Sequence, residues 1–144
     1  MTKPLSIILA SGSAGRKAML DEVNISYEAI PADIDEQAII QDMAAEMSED
    51  IAQELAKQKA LAIAKDHPEK LVIGSDQILV FEGKIISKAK TREEAAEKLT
   101  AMSGKTHSLI SALSVVQGSQ LLFAALDHAD LTMKDDPAYL ASYI

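Results

Sequence analysis

A strand-to-helix junction near the start of the chain, Ala10–Lys17, carries the clearest pattern for binding an anion. Its small residues, Ser11–Gly15, let backbone N–H groups approach a ligand, and the helix that follows directs its positive end to the same place. Arg16 and Lys17 add two full positive charges. The pattern predicts a cradle for phosphate groups, although it matches neither the GxxxxGK(S/T) nor the GxGxxG motif. An ordinary turn with two solvated bases is the alternative.

Lys59 is a cation placed on an apolar helix face. The segment Ser48–Asp66 has the best helical pattern in the chain, and Ile51, Leu55, Lys59 and Ile63 recur in it at four-residue intervals. Because burying an unpaired ammonium is costly, this side chain must either extend to solvent or meet an anion. The pattern favours extension to solvent, with an ion pair as the alternative.

Asp76 interrupts a buried stretch. The apolar runs Leu71–Gly74 and Ile78–Phe81 flank it, which predicts strand material broken at the polar residues Ser75–Gln77. A carboxylate at such a place is costly unless it is paired or bound to a metal. Asp76 is therefore a candidate general base or metal ligand. A turn residue without a chemical role is the alternative.

Four further bases follow the second apolar run: Lys84, Lys88, Lys90 and Arg92. Taken alone they indicate a solvated face. Together with the bases of the cradle and of the long helix, they would concentrate positive charge that selects a polyphosphate. The histidines have no metal-ligand spacing and the chain has no cysteine, so thiolate catalysis, disulfides and thiolate zinc sites are excluded.

Helices interleaved with a mixed sheet are predicted to position these residues. Continuous apolar runs predict the strands, and a capping box at Thr91–Glu94 begins a helix that reaches Met102. Turns at Glu82–Gly83 and Gly118–Ser119 predict hairpins, and Asp136–Pro137 predicts the start of a last helix. The acidic segment 33–36 is interpreted as a loop. The remaining predicted elements are a strand over Leu5–Ala10, a helix over Gly15–Val23, an extended piece over Tyr27–Pro31, and strands over Lys84–Ser87, Thr106–Val116 and Gln120–Met133.

Length and composition indicate one folded domain. The chain has 144 residues, of which 48% are hydrophobic and 25% charged, values that exclude intrinsic disorder. The formal net charge of −8 would repel nucleic acids and anionic membranes, so we expect neither as a partner. The first apolar run is too short for a secretory signal or a membrane span. We therefore expect a cytoplasmic protein.

Five segments, in order along the chain, resemble the Maf family of nucleoside triphosphate pyrophosphatases. Any one of these segments alone would be weak evidence for the resemblance, whereas five in the same order are specific. The segments are LASGSAGRKAML, IPADIDE, LAKQKALAIA, IGSDQILVFEGKIISKA and MSGKTHSLISAL. Of these, the first is similar to the family's LASxSxRRxxLL pattern, the fourth to GxDxxVxxxGxxxxKP and the fifth to SGRxHxVxTG.

The resemblance implies an α/β fold with a mixed, elongated central sheet, flanking helices and two lobes around a nucleotide cleft. It implies one domain over residues 1–144 that lacks the C-terminal segment with which family members continue. The implied reaction is metal-dependent hydrolysis of a nucleoside triphosphate to a nucleoside monophosphate and pyrophosphate. Whether the chain forms a homodimer is left open.

The resemblance also implies roles for individual residues. Asp76 would be the catalytic acid or base, and Glu36 with Asp76 would bind a divalent metal, Mg²⁺ or Mn²⁺. Lys17 replaces the second Arg of the family pair, which loses bidentate recognition of phosphate. The residues implied to bind the substrate are Ser11, Arg16, Lys17, Glu36, Lys59 and Lys88.

Substrate choice is implied by two positions. Ser75-Asp76-Gln77 looks more like the 7-methyl-GTP branch of the family than the dTTP/UTP branch, which commonly has Ala-Asp-Thr. Gly15 lies in a loop position where specificity also varies, so Gly15 and Gln77 are the candidate specificity residues. A dTTP/UTP pyrophosphatase is one alternative, and a non-catalytic nucleotide-binding or dimerisation module is another.

Overall fold

The computed structural model describes residues 6–86 and 90–134. The chain forms two compact units, one comprising Met1–Asp76 with Ser111–Leu126 and the other Gln77–Ile110 with Asp127–Ile144. The predicted Lys88 site and the predicted helix at Asp136–Pro137 lie outside the described residues.

The described residues form helices interleaved with a mixed sheet, which confirms the predicted α/β class. The strand order is β2-β1-β3-β5-β6, and β4 pairs with β3. Strand β1 is parallel to both β2 and β3, whereas β3 and β4 are antiparallel. The elements are β1 Ile7–Leu9, α1 Ala14–Glu22, β2 Glu28–Ala29, α2 Glu36–Asp42, α3 Ser48–Ala64, β3 Leu71–Phe81, β4 Lys84–Ile86, α4 Arg92–Met102, β5 Thr106–Gln117 and β6 Gln120–Thr132.

Helix α3 packs on the sheet within the first unit. Its buried face carries Ile51 and Leu55, as the helical pattern predicts, and four alanines spaced by four residues. These small side chains let the helix lie close to the strands that it covers. The core cluster at this contact consists of Ile8, Ala10, Ala60, Ala64, Val72 and Val116.

Local signals set the elements of the second unit. Glu82 and Gly83 have φ angles of 52° and 76°, the left-handed conformation that a two-residue hairpin turn requires, and they connect β3 to β4. Thr91 Oγ1 accepts a hydrogen bond of 3.1 Å from the Glu94 backbone N–H and caps α4. Gly104, with φ 70°, follows the end of that helix in the left-handed conformation that favours glycine.

One expectation about the elements is wrong, and one helix, α2, was not predicted. Strand β3 runs unbroken through Ser75–Gln77, and Val72, Gly74, Asp76 and Ile78 alternate as buried positions on one face. The acidic segment leads directly into α2, whose N-terminus is capped by Asp35 Oδ1 accepting from the Ala38 backbone N–H. A helix of seven residues has too few positions to show a clear periodic pattern.

No helix among the described residues is both long enough and apolar enough to cross a membrane.

Candidate active site

A polar cavity of about 230 Å³ lies in the first unit, where the ends of β1 and β2 meet the start of α2 and the middle of α3. The carboxyl ends of adjacent parallel strands are a common place for ligand sites in α/β folds. Ser11, Arg16, Glu36 and Lys59, all predicted to bind the substrate, line this cavity. The tertiary structure therefore brings together residues that are up to 48 positions apart.

The predicted phosphate cradle at the start of α1 is fixed by hydrogen bonds to its own serines. Ser13 caps the helix by accepting from the Arg16 backbone N–H at 3.3 Å. Ser11, which is buried, accepts from the Ser13 backbone N–H at 3.0 Å and from Arg16 Nη1 at 3.2 Å. These bonds fix the Arg16 guanidinium beside the cavity, next to the positive end of a nine-residue helix.

Lys59 bridges two carboxylates. Its Nζ atom lies 2.7 Å from Glu36 Oε1 and 2.7 Å from Asp76 Oδ1, and only 15% of its side chain is exposed. The expectation that this side chain extends to solvent is therefore wrong. The physical reason is that the two anions offset the cost of removing the ammonium from water.

Asp76 is buried on β3, with 8% of its side chain exposed. Burial raises the pKa of its carboxyl above the usual 3.8, and the Glu36 carboxylate adds to the rise, whereas Lys59 and Arg16 oppose it. Its Oδ2 atom is buried and has no hydrogen-bond partner among the described residues. A carboxylate with a raised pKa and an unpartnered oxygen is suited to accept a proton.

Glu36 and Asp76 also fit a divalent cation that is shared with a substrate. The described residues contain no group of three or more His, Asp or Glu side chains that could hold a metal alone. Mg²⁺, however, is usually held by one or two carboxylates together with water and substrate phosphates. The unpartnered Oδ2 of Asp76 supplies an acceptor of the required kind.

The other predicted residues lie around this arrangement. Lys17 is half-buried on α1, where its carbonyl oxygen accepts from Tyr27 Oη at 3.2 Å, and it does not line the cavity. Gly15 is exposed in the first turn of α1, and a Cβ there would have only Ser13 Oγ nearby, at 3.8 Å. Gln77 is exposed and belongs to the second unit.

Sequence reasoning missed part of the cavity wall. Pro31, Ala32, Asp33 and Ile34, between β2 and α2, line the cavity with the predicted residues. A signal for them was present, because this loop follows an extended piece and leads into Glu36. Their role was not predicted because no element had been assigned to the acidic segment.

Comparisons with known proteins show which family the chain is similar to. The family model described as Maf-like protein matches residues 6–144. A nucleoside triphosphate pyrophosphatase of Pelagibacter ubique is 41% identical over 131 residues, which cover 90% of this chain and 67% of that protein. A 7-methyl-GTP pyrophosphatase of Mesorhizobium japonicum is 39% identical over 142 residues, which cover 96% of this chain and 71% of that protein. The chain thus spans about two thirds of the length of such relatives.

Solved structures show the same fold at low identity. A HAM1 protein from Coxiella burnetii superposes with a TM-score of 0.51 and 17% sequence identity, over 88% of this chain and 71% of that chain. At this identity the likeness concerns the fold alone. It agrees with the mixed α/β arrangement described above.

Proposed function

This chain belongs to the Maf-like protein family, and from that membership we propose that it hydrolyses a nucleoside triphosphate to a nucleoside monophosphate and pyrophosphate. The observation that carries the proposal is the Lys59 ammonium bound to Asp76 at the wall of a cavity that Arg16 also lines. Cations that bind phosphates and a buried carboxylate that accepts a proton lie together. Relatives named as nucleoside triphosphate pyrophosphatases support it.

The cradle binds the triphosphate. Arg16 donates to phosphate oxygens, and the Ser11 hydroxyl, whose oxygen already accepts two hydrogen bonds, donates its single O–H in the same direction. Lys59 turns from the carboxylates toward the phosphates. These donors stabilise the negative charge that develops on the departing pyrophosphate.

Asp76 activates water. Its carboxylate accepts a proton from a water molecule as the water oxygen attacks the α-phosphorus, and the bond from that phosphorus to the bridging oxygen of the β-phosphate breaks. The proton stays on Asp76 until the products leave. A divalent cation, Mg²⁺ or Mn²⁺, held by Glu36 and Asp76 would neutralise part of the triphosphate charge.

We propose 7-methyl-GTP as the preferred nucleotide. The run Ser75-Asp76-Gln77 supports this choice, as does the 39% identity to a relative named for that substrate. A dTTP or UTP preference is the alternative. A cytoplasmic location and a homodimer stay predictions.

Pyrophosphate release from a panel of nucleotides tests the function. The chain is incubated with 7-methyl-GTP, dTTP, UTP and CTP in the presence of Mg²⁺, with Asp76→Asn as the matched inactive control. Release that is lost in the control supports the proposal. Nucleotide binding without release would instead favour a non-catalytic nucleotide-binding module.

A further inference from the structure

We propose that Lys59 keeps the space between Glu36 and Asp76 closed to divalent cations until the phosphates of a nucleotide draw its ammonium away. The inference rests on the proposed function, because it assigns an order of binding to the same site. It predicts that this chain binds Mg²⁺ or Mn²⁺ poorly by itself and well together with a nucleotide.

The position of the ammonium is the first argument. Lys59 Nζ lies 2.7 Å from an oxygen of each carboxylate, so its positive charge lies between the two groups that would hold a cation. Its side chain is 15% exposed and extends from α3, a helix packed against the core, which limits the positions it can take. Displacing it without another anion would leave a buried cation unpaired.

The local charge is the second argument. Glu36 and Asp76 contribute two negative charges, Lys59 contributes one positive charge, and Arg16 is near enough to affect Asp76 electrostatically. The cluster is therefore close to neutral and attracts a dication weakly. Removing the charge of Lys59 alone leaves a net negative site whose Asp76 carboxylate is buried, where attraction to a cation is strong.

The neighbouring cradle explains how a nucleotide would open the site. Arg16 and Ser11 line the same cavity as Lys59, so phosphates held there offer the ammonium new oxygen partners. A triphosphate carries more negative charge than the two carboxylates. When Lys59 turns to it, Glu36 and Asp76 become available as ligands.

The test measures binding of Mn²⁺ by electron paramagnetic resonance and by the shift in melting temperature, without hydrolysis. Wild-type chain and Lys59→Met are titrated with MnCl₂, each with and without an α,β-methylene nucleoside triphosphate. We expect Lys59→Met without nucleotide to bind Mn²⁺ at least about tenfold more tightly than wild type. We expect Mn²⁺ to raise the melting temperature of the variant, because it binds only the folded chain.

Lys57→Met is the matched control, because Lys57 lies on the same helix but pairs with Glu54 at 3.0 Å, outside the cavity. It should leave Mn²⁺ affinity unchanged. Equal Mn²⁺ affinity of wild type and Lys59→Met without nucleotide, or weaker affinity of the variant, overturns the inference. If Lys59→Met does not fold, tight binding of Mn²⁺ to wild type without nucleotide overturns it. An increase that appears only with the analogue, and that exceeds the Mn²⁺ bound by the analogue without protein, supports it.

The outcome is separable from that of the proposed function. A chain that releases no pyrophosphate can still show tighter Mn²⁺ binding in Lys59→Met, which would contradict the reaction and support the closed site. If the chain hydrolyses nucleotides while wild type and Lys59→Met bind Mn²⁺ equally, the reaction is supported and the closed site is contradicted.

Discussion

Gly74 of β3 lies so close to α3 that a Cβ atom at this position would overlap the carbonyl oxygen of Ala56 and lie 2.8 Å from the backbone nitrogen of Ala60. Lys59 is the residue before Ala60, and Asp76 is two positions after Gly74 on the same face of the strand. The missing side chain of Gly74 therefore permits the helix-to-strand distance at which Lys59 reaches Asp76.

Gly74→Ala should separate Lys59 from Asp76. The added methyl group contacts backbone atoms, which cannot move aside as a flexible side chain can. We therefore expect the free energy of unfolding to fall by about 1–3 kcal/mol. We expect turnover to fall further than in a variant that loses the same stability but keeps Lys59 beside Asp76. Thermal melting and pyrophosphate release measure the two effects. Val72→Ala, which opens a core cavity on the same strand, is the control for stability alone. Equal turnover in the two variants would contradict a positioning role for Gly74.

Asp76→Asn keeps the shape of the side chain and removes its charge. If Asp76 is the base, turnover should fall by about 100-fold or more. Asp42→Asn, at the exposed end of α2, is the control and should change neither turnover nor melting temperature. Normal turnover in Asp76→Asn would remove this residue from the mechanism.

The stability of wild type relative to Asp76→Asn should depend on pH in a defined direction. Because burial raises the pKa of the Asp76 carboxyl, the folded state favours its neutral form. Its stabilising contribution is complete below the usual pKa of 3.8 and is lost as the pH rises through the raised value. The melting temperature of wild type should therefore fall relative to that of Asp76→Asn as the pH rises from below 3.8 through the raised pKa of Asp76. A difference that moves the other way would show that Lys59 outweighs burial.

Arg16→Ala should weaken the binding of every nucleotide to a similar extent, because the cradle is proposed to contact the phosphates and not the base. Loss of a charge-assisted hydrogen bond of about 1.5–3 kcal/mol corresponds to about a tenfold to hundredfold weaker binding. Binding of each nucleotide of the panel measured by calorimetry gives the result. Lys57→Ala, whose ammonium pairs with Glu54 at 3.0 Å outside the cavity, is the control. An effect confined to one base would assign Arg16 to base recognition.

Gln77→Thr should shift the substrate preference from 7-methyl-GTP toward pyrimidine nucleotides, since an amide both donates and accepts hydrogen bonds at a base edge. The ratios of kcat/KM across the panel measure the shift. Gln120→Thr, exposed on β6, should leave them unchanged. Unchanged ratios in Gln77→Thr would exclude this residue from the choice of base.

Sequence alone predicted the elements whose signals are local. The cap at Thr91, the hairpin turn at Glu82–Gly83 and the Ser48–Ala64 helix depend on residues close together in the chain, so they can be identified from spacing and type. Helix α2 was missed because its seven residues form a stable element only with the rest of the unit around them.

Sequence also showed that Lys59 and Asp76 each occupy a costly position, one on an apolar helix face and the other in an apolar strand. It could not show that each is the partner of the other, because they are 17 residues apart and belong to different elements. Burial of a charge is visible in the local pattern, whereas its compensation depends on which elements pack together. Lys59 and Asp76 become partners because α3 contacts β3 closely at Gly74, and only the tertiary structure shows this contact.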